Sequence, residues 1–248
     1  ALLLAVEATK AEGERITEHI ETFVPESVKS DDTEELEALL TDMESLLAGG
    51  NLTDDEAKKL TETKAEIEEL LKTIEETAQR IDSVMGTVEN TDSDTVKPSE
   101  SKKLDEAIKE IDDLLATDHL TDAEKKSLKA TKADAEVMRA TIWEVLDKVD
   151  SYADEVGAVD TDSLKSSDVK TLEGLSDEIK AFLRSPHIED AQKAKLNEQL
   201  DAIDGYLGII EKIEERVDLV INVIEFTDPD TVKLSESQKL DEAIKEID

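Results

Sequence analysis

The chain has 248 residues, with 29 Lys and Arg against 65 Asp and Glu, a formal net charge of −36. A surface of that sign excludes a nucleic-acid binder that works by neutralising phosphates, and with 2% aromatic residues the composition by itself leaves disorder open. Leu, Ile, Val and Phe make up about 26% of the chain, above the ~20% below which disorder is the default, so their placement decides.

The apolar start Ala1-Leu2-Leu3-Leu4-Ala5-Val6 is too short for a signal peptide and has no basic residues before it. No run reaches the 18 or more apolar residues of a membrane span, so no membrane insertion is expected. With no Cys there is no disulfide, thiolate nucleophile or Cys-ligated zinc. Eight Gly and four Pro are too little punctuation for an all-β chain, which leaves helix as the expected state.

A helix is expected over residues 1–24, followed by a loop carrying Ser27-Val28-Lys29. That loop returns as Asp94-Thr95-Val96-Lys97, Ser163-Leu164-Lys165 and Asp230-Thr231-Val232-Lys233, with every lysine 68 residues after the last. Residues 93–112 and 229–248 differ at three of twenty positions. Three units of 68 residues follow, 25–92, 93–160 and 161–228. Val6, Ile16 and Ile20 stand 68 residues before Ile74, Val84 and Val88. The N-terminus therefore reads as the end of a preceding unit, and the chain as a piece of a longer array.

Each unit opens with a short helix. Leu36, Leu39, Leu40, Met43, Leu46 and Leu47, then Leu104, Ala107, Ile108, Ile111, Leu114 and Leu115, follow i, i+3, i+4, i+7 spacing. Asp31, Ser99, Ser167 and Ser235 share the column expected to cap it. Gly49-Gly50 ends the first copy and Pro186 marks the same place in the third. A long helix follows. Thr53-Asp54-Asp55-Glu56 and Thr121-Asp122-Ala123-Glu124 are capping boxes, with Leu52 and Leu120 as halves of hydrophobic staples. The third copy, Ile188-Glu189-Asp190-Ala191-Gln192, has a weaker cap. Leu60, Ile67, Leu70, Leu71, Ile74, Ala78, Ile81, Val84, Met85 and Val88 form a near-heptad seam, implying a helix of ~37 residues and ~55 Å.

A short helix of ~17 residues spans ~25 Å and covers less than half of that seam. The next short helix must cover the remainder. The expectation is an all-α fold: an elongated tandem array of left-handed three-helix bundles joined by shared continuous helices. Bundles are expected at 1–70, built from 1–24, 32–48 and 53–70, then at 71–138 and 139–206, with a partial bundle of two helices at 207–248. Each unit would advance the rod by ~30 Å, giving ~90 Å for three.

This plan resembles that of spectrin repeats. The acidic, Cys-free units opening with Leu52-Thr53-Asp54-Asp55-Glu56 and Leu120-Thr121-Asp122-Ala123-Glu124 are more similar to tandem three-helix modules of Gram-positive surface proteins. Those include giant matrix-binding proteins and the FIVAR and albumin-binding modules. The resemblance implies an extracellular, cell-wall-attached stalk or adhesin. It also implies an alternative role as a host-protein or matrix-binding module, of albumin- or fibronectin-binding type.

The search for chemistry yields no catalytic, cofactor or metal assignment. Ser99-Glu100-Ser101-Lys102 matches the S-x-x-K spacing of penicillin-recognising enzymes, but Ser99 is an expected cap and the other copies lack the Lys spacing. His19, His119 and His187 have no H-x-x-x-H spacing or Cys partner, and the last two share a turn column. Asp92 and Asp94, Asp160 and Asp162, and Asp228 and Asp230 are read as Asx-turns, since the Gly and Glu of a calcium loop are missing, with weak calcium binding as the alternative role of these oxygen pairs. Lys29, Lys97, Lys165 and Lys233 are expected to cap carbonyls of the long helix or pair with Asp. Trp143 is the candidate partner-binding residue: its column holds Glu75 and Glu211, beside the seam, and Trp is a frequent interface anchor. Its alternative role is to shield a bundle junction. Tyr152 shares a core column with Val84 and Val220. The functional expectation is a non-enzymatic, monomeric spacer or adhesin stalk.

Overall fold

A computed structural model describes residues 2–226, 237–239, 241 and 242, and these are all-helical with no strand among them. The α-helices in chain order are α1 (Leu2–Ile20), α2 (Thr33–Ala48), α3 (Asp54–Glu89), α4 (Ser101–Leu115), α5 (Asp122–Gly157), α6 (Val169–Phe182) and α7 (Asp190–Glu225). Residues 237–239, 241 and 242 are also helical. The two-helix reading of 207–248 lies in part outside the described residues, as do Ser235, Lys233, Asp228 and Asp230.

The long helices α3, α5 and α7 are each 36 residues. Their starts, Asp54, Asp122 and Asp190, are 68 residues apart, as are their ends. Local chemistry explains where they begin. In α3, Thr53 Oγ1 accepts from the Glu56 N–H at 3.4 Å, and Glu56 Oε2 accepts from the Thr53 N–H at 3.0 Å. Thr121 and Glu124 repeat this at 3.3 and 2.8 Å. In α7 the Glu189 N–H donates to Gln192 Oε1 at 3.3 Å. The orphan donors of each first turn are partly satisfied in this way. Gly50, at φ +67°, turns the chain from α2 toward α3, a conformation that suits glycine.

The seam is stricter than the sequence suggests. Leu60, Thr63, Ile67, Leu70, Ile74, Thr77, Ile81, Val84 and Val88 are the buried positions of α3, spaced alternately by three and four residues. The same columns in α5, Leu128, Thr131, Ala135, Met138, Ile142, Val145, Val149, Tyr152 and Val156, are buried as well. Leu71, Ala78 and Met85, expected in the seam, flank it half-buried. Thr63 and Thr77 occupy core columns because each hydroxyl donates to the carbonyl four residues back, Lys59 at 3.1 Å and Thr73 at 2.8 Å. The pair is internally satisfied and presents its methyl groups to the core.

The chain divides into two compact units, Ala1–Thr141 and Ile142–Asp248. In the first, α1, α2 and α3 contact one another, and α3 also contacts α4. Ile16, Ile20, Leu36, Met43, Leu60 and Ile67 form its core beside Val28. In the second, α6 packs on α7, and Val145, Val149, Tyr152, Leu172, Ile179, Leu196 and Ile203 share a core. The Tyr152 and Phe182 rings lie 5.9 Å apart there, and the Lys148 ammonium sits 4.5 Å from the Tyr152 ring centre. Ser176 is 3% exposed and its hydroxyl has no hydrogen-bond partner.

Two substitutions should move stability in opposite directions. Ile67→Ala removes a fully buried side chain from the seam and should cost about 3 kcal/mol. Ser176→Ala removes the unpartnered hydroxyl and should stabilise by about 1 kcal/mol. Urea midpoints at constant m-value measure both.

Candidate functional site

The polar residues that recur through the chain gather where the short helices begin. At each such start the backbone makes a 3-10 turn before the α-helix: Ser30–Asp32, Pro98–Glu100 and Ser166–Asp168. Asp31, Ser99 and Ser167 lie within these turns and are not the caps that the sequence suggests. The lysines Lys29, Lys97 and Lys165 are extended and stand at the cap position. Their backbone N–H groups donate to Asp32 Oδ2 at 2.8 Å, Glu100 Oε2 at 3.0 Å and Asp168 Oδ2 at 2.9 Å. In return, the N–H of each acid donates to the lysine carbonyl, at 3.0, 2.9 and 2.8 Å. The local sequence signal for these turns is the acidic residue three positions after each lysine.

A second overlooked column precedes the lysine. Val28, Val96 and Leu164 are buried loop residues, Val28 in the core of the first unit and Leu164 in that of the second. Each brings its loop down onto the helices, which holds the turn that follows.

In the first unit the α1–α2 loop meets the turn between α4 and α5. His119 Nδ1 lies 3.2 Å from the Val28 carbonyl oxygen, and the Ser30 hydroxyl donates to Glu124 Oε1 at 2.8 Å. Glu124 Oε2 also accepts from the Thr121 N–H and hydroxyl, both at 2.8 Å. Burial pushes the Glu124 carboxyl upward, but the Thr121 N–H, the Ser30 hydroxyl and the Thr121 hydroxyl outweigh it and hold the group below its ordinary range. One carboxylate thus closes the first turn of α5 and fastens it to a loop 94 residues earlier in the chain.

Cations recur between helices too. The Lys64 ammonium donates to Glu44 at 2.7 Å and lies 3.7 Å from Glu68. One unit later Lys132 pairs with Asp112 and Glu136. The hydrogen bonds from Glu44 and Asp112 raise Lys64 and Lys132 above the usual lysine range. Arg80 joins α3 to Glu110 of α4 at 2.7 Å, and Arg139 joins α5 to Asp105 of α4 at 3.3 Å.

Trp143 projects from α5 and is 60% exposed. Lys102, the basic member of Ser99-Glu100-Ser101-Lys102, stands 3.6 Å from Glu106. Asp92 Oδ1 accepts from the Asp94 N–H at 3.0 Å and Asp160 Oδ1 from the Asp162 N–H at 3.1 Å, which makes both loops Asx-turns. His19 pairs with Glu35 at 2.7 Å, and the His187 N–H donates to Ser185 Oγ at 3.3 Å. Among the described residues no group of three or more His, Cys, Asp or Glu is arranged to hold a metal, and no helix is long and apolar enough to cross a membrane. In comparison with known proteins, no family model, curated protein or solved structure matches the chain.

The junction carries a pH dependence of fixed sign. A carboxyl held low in the folded state stabilises above its unfolded pKa of about 4.3, and that contribution disappears as pH falls through the folded value. Wild type should therefore melt above Glu124→Ala at pH 6, and the gap should close toward pH 3. A gap constant across that range in paired thermal melts would remove the ionised carboxylate from the account.

Proposed function

We propose that the chain is a non-catalytic repeat region of a larger bacterial surface protein, a semi-rigid spacer or adhesin stalk. In this reading it is extracellular, attached to the cell wall and monomeric. Its architecture is a tandem array of left-handed three-helix bundles joined by continuous helices, with bundles at 1–70, 71–138 and 139–206. The observation that carries the reading is the 68-residue recurrence of three 36-residue helices, with the same nine columns buried in α3 and α5. A long helix covered in its first half by one set of partners and in its second half by the next passes load along one hydrogen-bonded backbone. The recurring Lys64 and Lys132 pairs and the lysine-loop turns fit a unit copied for its mechanics. The proposed location rests on the resemblance of the acidic, Cys-free units to the tandem modules of Gram-positive surface proteins.

An extended monomer should give a maximum dimension near 90 Å in small-angle scattering, from about 30 Å per unit. A compact globule of this length would have a radius of gyration of about 18 Å, and that result would overturn the spacer reading.

The second reading is recognition of a host or matrix protein, and the exposure of Trp143 favours it. Albumin and fibronectin would be titrated while tryptophan fluorescence is followed, with Trp143→Glu tested by calorimetry. Saturable binding lost in the variant supports recognition; no heat with either protein from wild type removes those two ligands and leaves the spacer.

A further inference from the structure

One column of the seam holds no side chain in α1. Gly13 lies in the middle of that helix and is buried. The residues 68 and 136 positions later are Ile81 and Val149, both buried aliphatics of their seams. Neither the backbone nor the packing demands glycine at this place. Among the described glycines it is Gly50 that has a positive φ, not Gly13. A Cβ on Gly13 would meet Leu60 Cδ1 at 3.5 Å and Cδ2 at 3.6 Å, which is ordinary van der Waals contact. Glycine inside a helix weakens it relative to alanine and forgoes the burial that Ile81 and Val149 supply in the same column. A cost in stability that the fold does not impose points to a site.

The space left beside Gly13 is a pocket of about 260 Å³ between α1 and the start of α3. Gly13, Leu52 and Leu60 give it an apolar wall. Thr17 also lines it but offers no free donor, because its hydroxyl donates to the Gly13 carbonyl at 3.0 Å. Pockets for drug-sized ligands begin at about 300 Å³, so the occupant of this one is a group of a few carbons. The rim, by contrast, is charged. Lys10 lies 3.8 Å from Glu56, whose carboxylate also accepts from the Thr53 N–H, and Glu14, Glu18 and Lys59 complete the rim. Three carboxylates stand there against two ammoniums, one of them engaged, in a chain of net charge −36. The field at the mouth therefore favours a cation.

We propose that the Gly13 pocket binds a small branched alkyl ammonium, with the alkyl end against Gly13, Leu52 and Leu60 and the charge beside Glu14 and Glu18. The inference goes beyond the spacer and recognition readings and depends on neither. Solvent alone and an anionic ligand with the same alkyl end are the competing occupants.

Amide NMR spectra of the full chain, titrated with isopentylammonium chloride at constant ionic strength, test it. Saturable shifts should centre on Gly13, Thr17 and Leu60. Gly13→Val, which fills the pocket as Val149 fills the same column of α5, should abolish them. Glu14→Gln combined with Glu18→Gln should weaken binding by up to about fivefold, as exposed ion pairs allow. Isovalerate, with the same alkyl end and the opposite charge, should not saturate. Gly13→Ala covers the case of a valine variant that fails to fold: it should weaken isopentylammonium binding and raise the melting temperature by about 2–4 °C. Shifts that never saturate, that survive Gly13→Val or that isovalerate produces equally would overturn the proposal. So would a lower melting temperature for Gly13→Ala, which would show that the packing itself requires glycine.

Discussion

The structure depends on a mismatch of lengths. A 36-residue helix carries its seam over about 54 Å, while the short helices, of 14 to 16 residues, reach only about 21–24 Å. No single short helix can bury the seam of a long one. In the first unit α3 resolves this by contacting α1 and α2 and then α4. The loop turns follow from the same requirement, because a short helix covers its share only if it starts at the correct height. Val28, Val96 and Leu164 set that height by burying one side chain per loop, and the reciprocal bonds between each lysine and the acid three residues on hold the turn there.

Charge works within these limits. With 65 acids and 29 bases, the carboxylates outnumber their possible basic partners by more than two to one, and exposed pairs contribute little individually. The few cations are placed where they span helices. Lys64 lies between Glu44 and Glu68, Lys132 between Asp112 and Glu136, and Arg80 and Arg139 each reach α4. Their value is partly relief of repulsion between acidic helices that the seam forces together. Acidic residues also fill the first turns of the long helices, where the helix dipole favours them. The net −36 is therefore compatible with folding, because acids sit on outward positions and apolar residues keep the seam columns.

What could be read from sequence was set by the range of the interactions involved. The starts of α3 and α5 were legible because capping boxes are local: Thr53 and Glu56, or Thr121 and Glu124, need only three residues of spacing. The all-helical character was legible from periodicity. The seam was read imperfectly because Thr63 and Thr77 look polar until their hydroxyls are seen to bond to their own helix. The caps of the short helices were misplaced onto Asp31, Ser99 and Ser167, since a 3-10 turn shifts the cap back to the lysine and gives the bonding role to Asp32, Glu100 and Asp168. The fastening of Ser30 to Glu124 and the approach of His119 to Val28 join residues more than 90 positions apart. No local pattern encodes such pairs; they follow only from which helices are brought together.

The columns themselves separate two kinds of role. Seam columns are apolar or threonine in α3 and α5 alike, because both helices face the same covering problem. Outward columns carry no such demand, and there the units differ: Trp143 stands where Glu75 and Glu211 do, and the Lys64 and Lys132 column becomes Leu200. Under the proposed reading, the property common to the units is mechanical and is written in the seam. Recognition by any one unit would be written in the outward columns, where a substitution changes the surface without disturbing the packing. Trp143 meets that condition, since its indole is largely solvent-exposed while its neighbours Ile142 and Val145 remain in the core. Spacer and binding module are thus compatible on one scaffold: the seam sustains the first, and an outward position such as Trp143 is where the second would be added.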